Sequence, residues 1–293
     1  MTDTDTIEAP TVAGRRAPTP LHTIATYVDG DRASAARLET AIALARTHGA
    51  HLSVMAFGYD PNIAAYSLGG AGGVTLAELE RVAQGEAEAR ADDARARLAA
   101  SEVLSDVTAT VCTLSEVGPA FAAMARFADV AVMEQPYGAH GSPTAADAAE
   151  GALFAAETAV LACPPNTRGI AAERVLIGWD GGSTALRAVR RAMSFLSQAR
   201  EVEVAMFGDD PLVMDDAERL AAMLSRHGVP VTLANHVAGR RSVAEALQGR
   251  AIELGADLLV MGAYGHSRLR EMILGGVTRE VLEDLRLPVF LSH

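Results

Sequence analysis

The stretch Asp257-Leu258-Leu259-Val260-Met261-Gly262-Ala263-Tyr264-Gly265 decides the fold. Its first half is a continuous apolar run, the pattern of a strand buried on both faces of a parallel sheet. The run breaks into glycines where the chain must turn sharply. Gly275-Gly276-Val277-Thr278 then opens a helical pattern carried by Val277, Val281, Leu282 and Leu285. Glycine lets backbone approach a bulky anion, and a helix N-terminus presents free N–H groups and a positive dipole end. Strand, glycine turn and helix in this order predict a pocket for phosphates.

The same elements occur earlier in the chain. Tyr27-Val28-Asp29-Gly30 returns as Gly178-Trp179-Asp180-Gly181, an offset of 151. Val54-Met55-Ala56-Phe57-Gly58 returns as Val204-Ala205-Met206-Phe207-Gly208, an offset of 150. Ala128-Asp129-Val130-Ala131-Val132-Met133 returns as Ala256-Asp257-Leu258-Leu259-Val260-Met261, an offset of 128. The shrinking offset places an insertion in the first half, covering the loop 60–75 and the longer helix after it.

Each half alternates strands and helices. Strands are expected near 22–28, 51–57, 106–112, 128–134 and 159–163, and again near 174–179, 201–207, 230–236, 257–261 and 288–292. Helices are expected near 32–48, 77–101, 117–127 and 144–157, then 183–198, 211–227, 242–254 and 276–286. This alternation implies a parallel sheet covered on both faces, doubly wound because crossovers are right-handed. Two domains follow, 20–165 and 171–293, joined by the short Pro164-Pro165-Asn166-Thr167-Arg168-Gly169 linker. Their final strands are sheet edges that need covering, and pairing them with each other would pack the halves as a pseudo-dimer.

Composition narrows the chemistry. The 293 residues are 49% hydrophobic, enough for two cores, and the net charge of -12 disfavours nucleic acid. All 25 basic residues are arginine, which removes a lysine-bearing P-loop, a Schiff-base lysine and a Ser–Lys dyad. Cys112 and Cys163 sit in apolar runs and read as buried inert thiols. Residues 1–20 are polar and lack the apolar core of a signal peptide, and no uncharged run reaches membrane-spanning length. A cytoplasmic protein with no membrane attachment and an unstructured tail is the expectation.

With the repeat established, the chain from about Leu21 to His293 resembles a tandem universal stress protein. The resemblance rests on the spacing Gly262-x2-Gly265-x9-Gly275 and on Asp180 after the first strand of the second half. It implies two five-stranded parallel-sheet domains of the adenine-nucleotide alpha-hydrolase type, a fold that is usually dimeric and in many members binds ATP. It implies a cofactor, ATP or AMP with or without Mg²⁺, held by Asp180, Met261, Gly262, Gly265, His266, Gly275, Gly276, Val277 and Thr278. Asp180 would lie by the adenosine, and Val277 and Thr278 would meet phosphate.

Two departures matter. The family pattern places Ser or Thr after the last loop glycine, where this chain has Gly276. The lost hydroxyl contact to a charged group is worth about 1.5–3 kcal/mol, so Gly276→Ser is expected to tighten ATP binding. In the first half the equivalent turn reads Met133-Glu134-Gln135-Pro136-Tyr137-Gly138, where a carboxylate would repel phosphate. No glycine pair opens the following helix. A single nucleotide site, in the second half, is the expectation.

Other signals are weaker. Gly265-His266-Ser267-Arg268-Leu269 resembles a nucleophile elbow without its last glycine. Arg268 and Arg270 read as surface arginines or as triphosphate partners. His48 and His51 lack further metal ligands. Ser67-Leu68-Gly69-Gly70-Ala71-Gly72-Gly73 follows no strand closely and reads as a flexible loop. The acidic and basic residues from Glu86 to Arg97 make a solvated helix face. No general base stands beside the glycine turn, so a nucleotide-binding stress or signalling protein with little or no turnover leads. The alternatives are a slow Mg-dependent ATPase and a binding module for a non-nucleotide small ligand. A homodimer or a pseudo-dimeric monomer would both satisfy the pattern.

Overall fold

The computed structural model describes residues 6–8, 20–60, 76–165, 167–265 and 276–293. The strands are β1 (Thr6–Glu8), β2 (Thr23–Val28), β3 (His51–Tyr59), β4 (Ser105–Cys112), β5 (Val130–Glu134), β6 (Ala159–Cys163), β7 (Arg174–Gly178), β8 (Glu201–Phe207), β9 (Val231–His236), β10 (Leu258–Gly262) and β11 (Val289–Ser292). The helices are α1 (Ser34–His48), α2 (Leu76–Ala99), α3 (Val117–Ala125), α4 (Pro143–Glu150), α5 (Ser183–Arg191), α6 (Met193–Leu196), α7 (Pro211–Arg226), α8 (Val243–Leu254) and α9 (Val277–Glu283).

All the strands belong to one sheet, in the order β1-β9-β8-β7-β10-β11-β6-β5-β2-β3-β4. Each half contributes five parallel strands in the same internal order. The registers agree too: Ile24 lies beside Val130 as Val175 lies beside Leu258. The halves meet where β11 pairs antiparallel with β6, Phe290 opposite Leu161. Both terminal strands are fully buried and rich in apolar side chains. Joining them removes two edges at once. The expected pseudo-dimeric packing is what the chain adopts.

Helices cover both faces. One apolar cluster packs α1, α2, α5, α6 and α7 on one side, and a second packs α3, α4, α8 and α9 on the other. Leu38, Ala41, Ile42, Leu44 and Ala45 of α1 give the buried stripe that a 3.6-residue period predicts. Gly49 closes α1 in the left-handed conformation, φ 64°, where its N–H reaches the Ala45 carbonyl.

Three details depart from the sequence reading. The N-terminal segment is not wholly without structure, because Thr6–Glu8 pairs antiparallel with β9 and shields that edge. The helix expected over 144–157 is α-helical only to Glu150 and continues as a π-turn over Gly151–Ala155. The cause is a close crossing: a Cβ on Gly151 would lie 2.3 Å from the Gly118 carbonyl oxygen of α3. The helix expected over 183–198 is broken at Ala192 into α5 and α6. The insertion helix α2 has 24 residues against 16 in its counterpart α7, as the offsets require. The loop over 61–75, including Ser67 to Gly73, and the linker residue Asn166 lie outside the described residues.

Candidate functional site

The strand order reverses between β2 and β5 in the first half and between β7 and β10 in the second. Ligand crevices of open α/β sheets form at such points, beyond the carboxyl ends of the strands. The crevice of the second half is bounded by Asp180 after β7 and by Gly262 at the end of β10.

Two helices aim their first turns at Gly262. A Cβ there would lie 2.6 Å from the Ala185 amide nitrogen and 2.7 Å from Thr184 Oγ1, both in the first turn of α5. On the other side Thr278 Oγ1, in the first turn of α9, lies 3.5 Å from the Gly262 carbonyl oxygen. The Tyr264 amide reaches the same hydroxyl at 3.4 Å. Gly265 would place a Cβ 2.9 Å from Thr184 Oγ1 and 3.7 Å from Asp180 Oδ2. Asp180, Gly262, Gly265 and Thr278 are thus one cluster. Met261 is buried in the core beneath it, and Gly276 and Val277 open α9 beside it. His266 and Gly275, with Ser267, Arg268 and Arg270, lie outside the described residues.

The capping pattern separates these helices from their neighbours. The first turns of α7 and α8 are capped by the side chains of Asp210 and Ser242. The N-caps of α5 and α9 are Gly182 and Gly276, which have no side chain to offer. Among the described residues, no side chain therefore caps their first-turn amides. Asp180 is exposed, and its one hydrogen bond among the described residues comes from the Gly182 amide at 2.8 Å.

Gly276 carries a correction. Its φ of 105° with ψ of -177° is backbone that only glycine adopts readily. The missing hydroxyl is therefore a consequence of the turn. A serine here meets no steric obstacle but is strained by about 1–3 kcal/mol, which offsets the expected gain.

The first half repeats this geometry and closes it. Asp29 is only 6% exposed. Arg37, whose side chain is completely buried, donates from one Nη to Asp29 Oδ1 at 3.0 Å, from Nε to the Tyr27 carbonyl at 2.8 Å, and from its other Nη to Glu134 Oε2. Tyr27 donates its hydroxyl to Glu134 Oε1 at 2.7 Å, with the guanidinium stacked 3.7 Å from its ring centre. Ser34 and Tyr59 complete the shell of Asp29. Burial alone would raise the Asp29 carboxyl, but Arg37 and the Ser34 hydroxyl hold it below its ordinary value. Burial pushes the Tyr27 phenol well up. The sequence reading expected the Glu134 carboxylate to repel phosphate; in the structure that carboxylate is paired with Arg37 and Tyr27, whose side chains fill the space.

Sequence reasoning saw Glu134 but missed Arg37 and Tyr27. The signal was present. By the repeat offsets, Tyr27, Arg37 and Glu134 stand where the second half has Gly178, Ala188 and Gly262. It also missed Thr184, which is 3% exposed and whose hydroxyl has no partner among the described residues.

Among the described residues, a cleft of about 880 Å³ lies elsewhere, lined by Arg126, Arg190, Arg191 and His227 among others. These side chains stand at the C-terminal ends of α3, α5 and α7, where cations complement the helix dipoles. That local role accounts for them. Cys112 and Cys163 are buried free thiols, and burial raises the first to about 11 and the second to about 12. No helix among the described residues is long and apolar enough to cross a membrane.

Fold and crevice define a pair of doubly wound α/β units fused through their last strands. The second of them is a universal stress protein domain: residues 171–293 match the model of the Universal stress protein family. The whole architecture is shared with a universal stress protein from Archaeoglobus fulgidus, at 16% identity over 92% of this chain and 97% of that one, with a TM-score of 0.69. A putative universal stress protein from Pseudomonas aeruginosa aligns over 93% of each chain, at 14% identity and a TM-score of 0.54. A universal stress protein of Synechocystis is 52% identical over 33 residues, 11% of this chain and 12% of that one. The chain is a tandem arrangement of two universal-stress-type folds.

Proposed function

We propose that this chain is a cytoplasmic stress-response or signalling protein that binds one adenine nucleotide, ATP or AMP, with little or no turnover. The site is the switch point of the second half. The supporting observation is the convergence there of an exposed carboxylate, Asp180, with two helix N-termini that no side chain caps. Dipole ends and free amides suit phosphate, while the exposed carboxylate suits ribose hydroxyls. Gly262, Gly265, Val277 and Thr278 would lie along the phosphates, with Met261 beneath; His266, Gly275 and Gly276 belong to the same turn by sequence. The family resemblance points the same way.

The units that divide this labour are residues 20–165, closed by their own side chains, and residues 171–293. Because the halves pair with each other, a monomer already has the symmetry of a dimer. A homodimer would bring four such units together, and analytical ultracentrifugation distinguishes the two.

Titration of the purified protein with ATP and AMP, with and without Mg²⁺, tests the reading. One equivalent of nucleotide per chain is the expected result. Two equivalent sites, or none at millimolar ligand, would defeat it. Phosphate release under excess ATP and Mg²⁺ distinguishes a binding protein from a slow ATPase.

A further inference from the structure

Away from the paired strands, the first half also meets α9 and the Tyr264 turn of the second. Gln135, 3% exposed at the end of β5, donates from Nε2 to the Glu283 carbonyl at 2.7 Å. That carbonyl is one of the orphan acceptors at the C-terminus of α9. Gly138, φ 78°, lies so close that a Cβ would be 2.0 Å from the same oxygen. The Tyr137 ring packs under the Arg279 guanidinium of α9, 3.7 Å from its ring centre, and its hydroxyl donates to Glu150 at 2.8 Å. Phe154 packs its ring against Tyr264, the centres 5.2 Å apart.

These contacts are not symmetric about the seam. By the repeat, Gly265 stands where the first half has Tyr137, so the ring under Arg279 has no counterpart from the second half. Their targets are also the parts of the site that need holding. With seven residues and no side-chain N-cap, α9 is too short to persist without tertiary support. Tyr264 is held at φ 52°, sparsely populated for an aromatic residue, and persists only where neighbours fix it. The second half itself supplies one comparable bond to the end of α9, from Gln248 to the Asp284 carbonyl at 2.9 Å.

We propose that Gln135, Tyr137 and Phe154 of the first half are positioning residues for the nucleotide site of the second. They fix α9 and the Tyr264 turn against Gly262, so the half that closed its own crevice serves as the rigid wall of its neighbour's. This rests on the nucleotide reading above. Because α9 borders the phosphate end of the crevice, loss of the wall weakens ATP more than AMP.

The test uses the full-length protein with Gln135→Ala, Tyr137→Ala and Tyr137→Phe. Tyr137→Ala should weaken ATP binding about three- to tenfold, the worth of one exposed to half-buried cation–ring contact, with AMP affected less. Tyr137→Phe keeps the ring and should bind as wild type does. Amide exchange over 277–283 without ligand should quicken about tenfold in Gln135→Ala and Tyr137→Ala, as expected for a local opening, while β2 and β3 stay protected. Gln135→Ala removes no ring and reads the same wall if Tyr137→Ala fails to fold. Unchanged ATP affinity in both alanine variants overturns the proposal, even if exchange quickens. So does a Tyr137→Phe variant as weak as Tyr137→Ala, or an equal loss of ATP and AMP. Failure of the wild type to bind either nucleotide is a different result: it removes the function itself, and the positioning role with it.

Discussion

At the first switch point Asp29 is sealed beneath Tyr59 and Ser34 and ion-paired to a buried arginine; at the second, Asp180 is exposed with a single backbone partner. The backbones around them match strand for strand and in register. What differs is side-chain volume and charge at three equivalent places: Tyr27, Arg37 and Glu134 against Gly178, Ala188 and Gly262. The fold supplies a crevice twice, and the side chains decide whether it stays open. A closed crevice is not idle structure, because its ion pairs are mutually dependent and its loop supports the open one.

The most damaging way to break this contrast is Arg37→Ala. It leaves the Glu134 and Asp29 carboxylates buried without their cation, at a cost of about 3–5 kcal/mol. Urea denaturation should show the loss, and a change within experimental error would mean the network is ornamental. Glu134→Gly alone should create no second nucleotide site, since Tyr27 and Arg37 remain.

Next comes the reverse change, Gly262→Glu, which gives the second half the first half's residue without its arginine. The added side chain meets the α5 backbone, 2.6 Å from the Ala185 nitrogen at Cβ. ATP and AMP binding should both vanish in calorimetry, with some loss of stability. Retained affinity would place the ligand elsewhere.

Asp180→Ala should weaken both nucleotides by roughly one to two decades, the worth of hydrogen bonds to a charged group, and leave stability nearly unchanged because the carboxylate is exposed. A fall in unfolding temperature without loss of affinity would reassign Asp180 to shaping the turn at Gly182.

Acid should act on the sealed ion pairs. The Asp29 carboxyl, raised by burial, is brought below its ordinary value by Arg37 and Ser34. In the second half, Glu203 is likewise raised by burial but lowered to about 2 by its bonds with Arg250 and His236. Folded values below unfolded ones mean that the unfolded chain binds these protons first. Their stabilisation is complete above the ordinary carboxylate range and is lost as pH falls from about 5 towards the folded values. Unfolding temperature against pH should decline over that window, and Asp29→Asn should flatten part of the slope.

The smallest effect is expected from Gly276→Ser. A gained hydroxyl contact of about 1.5–3 kcal/mol is opposed by backbone strain of about 1–3 kcal/mol, so ATP affinity should shift by less than about a decade. A larger gain would show that the φ of 105° relaxes when nucleotide binds.

The sequence by itself determined the repeat, the doubly wound parallel sheet of each half and the joining of the halves through their final strands. Continuous runs such as Val130–Met133 and Leu258–Met261 have one stable place, the middle of a covered parallel sheet, and a local pattern suffices to find them. It also marked Asp180, Gly262 and Gly265 as neighbours, because turns after adjacent strands must meet at a switch point. It did not mark Arg37, an arginine on an apolar helix face, whose meaning lies in residues 8 and 97 positions away. Nor did it tell that Gly276 is fixed by its φ, that Thr184 lies between the two glycines, or that Thr6–Glu8 covers β9. Periodicity and glycine spacing are properties of short segments, whereas an ion pair, a strained turn and a ring laid under an arginine exist only once distant segments share a dielectric and a volume. The tertiary structure therefore decided which of two like crevices is open, and what holds it so.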